Sequence, residues 1–299
     1  MGICTRENKE IFGGLEMINT WWFNIIAYLF LYTIFTQSYK MAANSSKKDG
    51  ALTILLQFLG GVIVLLFMPL FKFKFPTEIH TYLFLGLSCI FYAIADRVNT
   101  TARRGLEVSL YSILGQLSTV LIIIWGILFF KEEIVIKKIL GALLILVGNV
   151  IVLYQKGKFK WNKYILFSLL GNLSMSIAVF TDVGISSQFN LPIYVAITLI
   201  VPALLIFIIE RIKPKDIIEE FKSENKKAIL VVGISWGICI ISNLRAYKFG
   251  NVTTVAPICA VTTLLNVFVA YFVFKEKDSI IKKMLATLIA VAGIVLINI

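Results

Sequence analysis

With 299 residues, 59% hydrophobic and only 15% charged side chains, and a mean hydropathy of +0.87, the chain carries more apolar surface than a soluble core of this length can hide. The net charge of +12 does not point to nucleic acid, because the lysines and arginines fall between apolar runs rather than in one block. A single histidine, His80, and four cysteines without CxxC spacing make no case for a metal centre or a disulfide framework, so no cofactor is expected.

A helix needs about 20 apolar residues to cross the hydrocarbon of a bilayer. After a polar stretch over residues 1–17, such runs lie near 18–39, 51–71, 79–98, 107–130, 134–154, 162–184, 190–210, 227–247, 251–274 and 280–298. They are continuous rather than alternating, which predicts ten membrane-spanning helices and not a barrel. Most connections are short. The long one, RIKPKDIIEEFKSENKK at 211–227, places Ile217, Ile218 and Phe221 where they fit either a short interfacial helix or a solvated loop.

The chain repeats itself. Phe130-Lys131-Glu132 returns as Phe274-Lys275-Glu276, 144 residues later. The same offset pairs Asn99 with Asn243, Ala102 with Ala246, Thr119 with Thr263, and Tyr92 with Trp236. One residue further on, Lys137-Lys138 matches Lys282-Lys283, Gly141 matches Ala286 and Gly148 matches Gly293. The repeated unit holds five spans. Five is odd, so the second copy enters the membrane in the opposite direction, as in many secondary transporters. The expected fold is an all-α integral membrane protein: two inverted five-helix repeats, residues 1–160 and 161–299, around a central cavity. Gly141 and Gly148 share one helix face, where small residues let helix backbones approach.

Ten spans in two inverted halves, with paired F-K-E ends and glycine-bearing helices after them, resemble the EamA-like family of the drug/metabolite transporter superfamily. The resemblance covers residues 18–299. It implies that spans 1, 3, 4, 6, 8 and 9 line the cavity while spans 5 and 10 pack outside. It also implies a small-molecule substrate such as an amino acid, another metabolite or an amphiphilic toxin, often moved by a proton gradient or exchanged for a counter-substrate. The expected setting is the lipid bilayer of the plasma or inner membrane, as a multi-pass monomer or homodimer. A nucleotide-sugar or phosphate-sugar exchanger of the same superfamily is the alternative. Relatives keep both termini in the cytoplasm. Counting Lys and Arg gives nine on the side of the termini and twenty on the other, which by the positive-inside rule puts the termini outside.

Polar side chains deep in a span are costly and point to function. Tyr92 and Asn99 in the third span, and Trp236 and Asn243 in the eighth, are each spaced i, i+7 and form one stripe. An aromatic wall with an amide suits a small amphiphilic solute; interhelical packing is the structural alternative. Asp96 and Arg97 close the third span and Arg245 the eighth, with Arg103 and Arg104 following shortly after. Arginine here, Arg245 included, offers a fork for a carboxylate, or else snorkels to the interface or pairs with Asp96. Gln116, Thr263 and Asn266 offer neutral hydrogen bonds. Asp182 and Lys40 are the candidates for coupling, Asp182 as a proton carrier. An intramembrane protease would need a GxGD-like loop, which neither YAIAD at 92–96 nor FTDVG at 180–184 provides. HExxH and GxSxG are missing too, so an enzyme is not expected. A channel or membrane scaffold is the remaining non-transporter reading; rings of polar residues along a pore do not stand out.

Overall fold

A computed structural model describes residues 20–130, 135–155, 158–159, 161–182, 185–222, 226–250 and 252–298. The elements are α1 (Trp21–Ser45), α2 (Asp49–Leu65), α3 (Ile79–Gly105), α4 (Val108–Leu114), α5 (Leu117–Phe130), α6 (Ile136–Leu153), α7 (Lys163–Asp182), α8 (Leu191–Ile209), α9 (Pro214–Phe221), α10 (Lys226–Phe249), α11 (Val252–Val273) and α12 (Ile280–Asn298). Two-residue strands, β1 (Tyr154–Gln155) and β2 (Lys158–Phe159), pair antiparallel in a hairpin after α6.

Among the described residues, seven helical stretches are long and apolar enough to cross a membrane, and Asp49–Leu65 and Ile258–Val273 are shorter apolar helices. The 25-residue α1 is more polar, and buries Thr33, Thr36 and Gln37. Outward faces are greasy: Phe30, Leu83, Leu128, Ile208 and Ile281 are among many large apolar side chains left exposed, as expected where lipid is the solvent.

The predicted span at 107–130 is broken. Helix α4 ends at Leu114, Gly115 and Gln116 form a turn, and α5 begins at Leu117. Averaged hydropathy stays high over the stretch despite Ser112, Gln116, Ser118 and Thr119, so it does not reveal the break. A carbonyl freed there is used again: Leu114 O accepts from Asn172 Nδ2 at 3.1 Å. The third and eighth spans run further than expected, to Gly105 and Phe249. Asp96, Arg97 and Arg245 therefore stand inside helices rather than closing them, while Arg103 and Arg104 fall in the last turn of α3. Their polar ends find protein partners or ring faces, so the helices need not stop at the headgroups.

Helices pack in reciprocal pairs: α6 on α12, α2 on α8, α1 on α10 and α3 on α7. The α6–α12 seam is the closest. A Cβ added to Gly141 would lie 2.5 Å from Gly293 O, and one added to Gly148 would lie 2.7 Å from Ala286 O. Only a glycine surface permits that approach of two backbones.

Glu276 in the Phe274-Lys275-Glu276 turn is buried. Lys275 adopts φ 54°, a left-handed turn that ends the α11 segment. Glu276 then caps α4, accepting from Val108 N at 2.7 Å, Ser109 N at 3.1 Å and the Ser109 hydroxyl. Buried Lys283 pairs with Glu107 at 2.5 Å and lies 3.9 Å from Glu276. The first copy, Lys131 and Glu132, lies outside the described residues.

The long connection folds into α9, which docks on protein. Ile217 and Phe221 pack on the core, while Ile218 stays exposed. Glu220 accepts from Lys47 N at 2.7 Å, Lys48 N at 2.8 Å and Ser46 Oγ at 3.1 Å, and Asp216 pairs with Lys48 at 2.7 Å.

Candidate functional site

The helices enclose a cavity of about 540 Å³. One end is shut by a polar network that gathers several helix ends. Arg104 pairs with Asp49 at 2.5 Å and donates to Ser46 O at 2.6 Å. Lys40 Nζ donates to the carbonyl oxygens of Arg103 and Arg104, each at 2.7 Å, satisfying the C-terminal carbonyls of α3. Arg97 pairs with Glu210 at 2.5 Å, and Glu276 caps α4. The cavity floor lies against this network, at Tyr39, Arg103 and Tyr111. In the other direction the lining reaches Tyr247 and Asn298, near the opposite ends of α10 and α12. The cavity thus runs from the closed, network side toward the far side of the bundle.

Five of the sequence-predicted residues meet here: Asn99, Gln116, Trp236, Thr263 and Asn266. Asn99 fits because Gly171 faces it; any Cβ at 171 would collide with its amide. Gln116, at the α4–α5 break, donates from Nε2 to Thr263 Oγ1 at 2.6 Å. Trp236 stacks on Phe35 with ring centroids 4.4 Å apart. Asn266 is 1% exposed, and its Oδ1 has no hydrogen-bond partner.

The others stand elsewhere. Tyr92 is not in the lining; its hydroxyl donates to Asp182 Oδ2 at 2.7 Å. Asp182 also accepts from Ser88 Oγ at 2.5 Å and from the Tyr194 hydroxyl, so this carboxylate joins α3, α7 and α8 outside the cavity lining. Asn243 donates to Cys259 Sγ at 3.2 Å, and only the cysteine reaches the lining. Arg245 is buried, its guanidinium carbon 5.4 Å from the Phe249 ring centroid. Lys40 belongs to the closing network. The two i, i+7 stripes therefore split: Asn99 and Trp236 face the cavity, while Tyr92 and Asn243 brace neighbouring helices. Helix α12, expected on the outside, adds Ile294, Ile297 and Asn298 to the lining.

The sequence reading did not assign the aromatic stripe of α1, in which Tyr28, Tyr32, Phe35 and Tyr39 recur at helical spacing along the cavity. That stripe was readable. Gln57 and Asp96 were not readable as a pair; Gln57 Nε2 donates to Asp96 Oδ2 across α2 and α3, and both face the cavity.

An all-helical membrane protein folded around a central, partly polar cavity is the class that these features define. The chain belongs to the EamA-like transporter family of the drug/metabolite transporter superfamily, which matches it over residues 18–154 and again over 162–299. A solved protein crystal structure is similar in fold, with a TM-score of 0.59 over 90% of this chain and 94% of its own, at 14% sequence identity. No curated protein matches the chain in sequence. The protein is a multi-pass integral membrane protein of a transporter family.

Proposed function

We propose that this chain is a secondary active transporter that moves a small organic metabolite, amino-acid-like or amphiphilic, by alternating access of one central cavity. The unit of motion is a five-helix half, residues 1–160 or 161–299, and the two halves are inverted copies giving ten membrane crossings in all. The family's two matches support the division. The packing supports the inversion: Gly141 meets Gly293, the repeat mate of Gly148, and Gly148 meets Ala286, the repeat mate of Gly141. Such reciprocal contact is what a two-fold axis produces.

The observation that carries the transport reading is the cavity itself, lined from both halves and closed at one end by hydrogen bonds and ion pairs. A solute held between halves shifts their equilibrium by its unequal affinity for the two arrangements. Asn99, Gln116, Trp236, Thr263 and Asn266 contact the solute. Asp182 carries the coupling proton, with the plasma or inner membrane as the setting. The protein is not an enzyme in this reading. Reconstituted in proteoliposomes, the chain gives saturable flux that responds to a proton gradient or to a counter-substrate. Single-channel conductance in planar bilayers, without saturation, would overturn the proposal.

A further inference from the structure

We infer that Arg103 is the anion-reading residue at the cavity floor, and that the solute carries one carboxylate on an apolar or aromatic body. This rests on the transport reading above and names the chemistry of its solute.

Arg103 is 8% exposed and lines the cavity. Its guanidinium carbon lies 4.2 Å from the Tyr111 ring centroid, 4.6 Å from Tyr39 and 5.3 Å from Phe35. Among the described residues, no carboxylate forms an ion pair with it. The neighbouring Arg104 takes Asp49, and Arg97 takes Glu210. Asp96, seven residues earlier on the same face of α3, instead accepts from Gln57. Ring faces and the Tyr32 and Tyr111 hydroxyls offset part of the cost of burying this cation, yet they bring it no countercharge. A carboxylate fits that plane with two parallel hydrogen bonds.

The charge count narrows the class further. Among the described residues lining the cavity, Arg103 is the one Lys or Arg, and Asp96 faces the same space. A dianionic phosphate would find one cation and a nearby acid. A monoanion pairs with Arg103 and meets half the repulsion from Asp96 that a dianion would. The rest of the floor, Phe35, Tyr39 and Tyr111, accepts a flat apolar body, and a 540 Å³ cavity holds a small organic acid with room to spare.

The test is a thermal-shift titration of the purified full-length chain with phenylacetate, phenylacetamide, phenethylamine and phenyl phosphate, which share a ring and differ in charge. Phenylacetate alone raises the Tm in a saturable way. Arg103→Gln abolishes that shift, Arg103→Lys weakens the apparent affinity about tenfold by removing the fork, and Arg97→Gln leaves it unchanged. Should Arg103→Gln fail to fold, the Arg103→Lys titration decides. A phenylacetate shift that survives at Arg103→Lys with unaltered affinity overturns the inference, as does equal stabilisation by the amide, amine or phosphate, or no shift at all. A phenethylamine shift that Asn266→Leu removes would refute the anion reading and leave the cavity reading intact. Phenylacetate binding without gradient-driven flux would do the reverse, keeping Arg103's role and removing transport.

Discussion

Gln116 and Thr263, 147 residues apart, join side chain to side chain at 2.6 Å across the cavity, Nε2 donating to Oγ1. Gln116 occupies the break between α4 and α5, and Thr263 the middle of α11. Each comes from a different matched unit of the family. Gln116→Leu and Thr263→Val should each lower flux while leaving folded protein in the membrane. A double-mutant cycle on solute-free stability should give a coupling of about 0.5–1.5 kcal/mol, the usual net worth of one hydrogen bond. Strict additivity would mean that the pair is not coupled.

Gly141→Val should disrupt the α6–α12 seam, because its added carbons land on the Gly293 carbonyl. A clash with backbone has no flexible side chain to absorb it, and overpacking typically costs about 1–3 kcal/mol. The expected result is a lower Tm and less folded protein in the membrane. Gly86→Val serves as the control, since a Cβ there meets nothing within 4 Å. Equal loss from both would detach the effect from the seam.

Glu276→Gln should loosen the closed end. Its carboxylate satisfies two α4 amides and the Ser109 hydroxyl from a buried position. The neutral amide accepts less strongly and forfeits the attraction to Lys283. Weakening such a buried charged contact costs about 1–3 kcal/mol. Thiol labelling of Leu106→Cys, now buried behind the network, should accelerate severalfold in the Glu276→Gln background. An unchanged labelling rate would separate Glu276 from closure.

Asp182→Asn should leave the fold in place and make flux insensitive to a pH gradient. The amide oxygen still accepts from Ser88 and Tyr194, and the new NH2 donates to the Tyr92 hydroxyl oxygen in place of accepting from it, so the link among α3, α7 and α8 persists. The loss is of a group able to release a proton. Flux measured with and without an imposed gradient decides, and retained coupling would remove Asp182 from the mechanism.

Docking of α9 should depend on acid. The hydrogen bond from Lys48 holds the Asp216 carboxyl below its ordinary range, helped by the backbone N–H of Lys213. A carboxyl whose folded value is depressed contributes stability above its unfolded value of about 3.9 and loses it as pH falls toward the folded value. Protection from hydrogen exchange over 214–222, taken relative to the intrinsic rate at each pH, should therefore stay high at neutral pH and fall below about pH 4. Asp216→Asn should show low protection throughout, without that pH step.

Long apolar runs were legible because hydrocarbon thickness fixes their length. The offset of 144 was legible because both copies kept Phe-Lys-Glu, Asn and glycine at matched places. What the residues could not reveal was which neighbour each side chain would meet. Tyr92 and Asn99 share a stripe, yet Asp182 on α7 captures the tyrosine while Gly171 clears room for the amide. Arg103 beside Arg104 reads as an interfacial pair. Its burial comes from rings on α1 and α4 that converge only in the fold. The break at Gly115 escaped notice because the polar residues beside it, Ser112, Gln116, Ser118 and Thr119, sit in a stretch whose averaged hydropathy stays high.

Of the chain's five tryptophans, Trp236 is the one that the described lining includes, and its indole lies flat against Phe35. A guest held in the cavity lies beside those two rings. The emission colour of that indole therefore registers occupancy from within, with no dye attached, and exchanging Trp236 for phenylalanine silences the signal while keeping the stack.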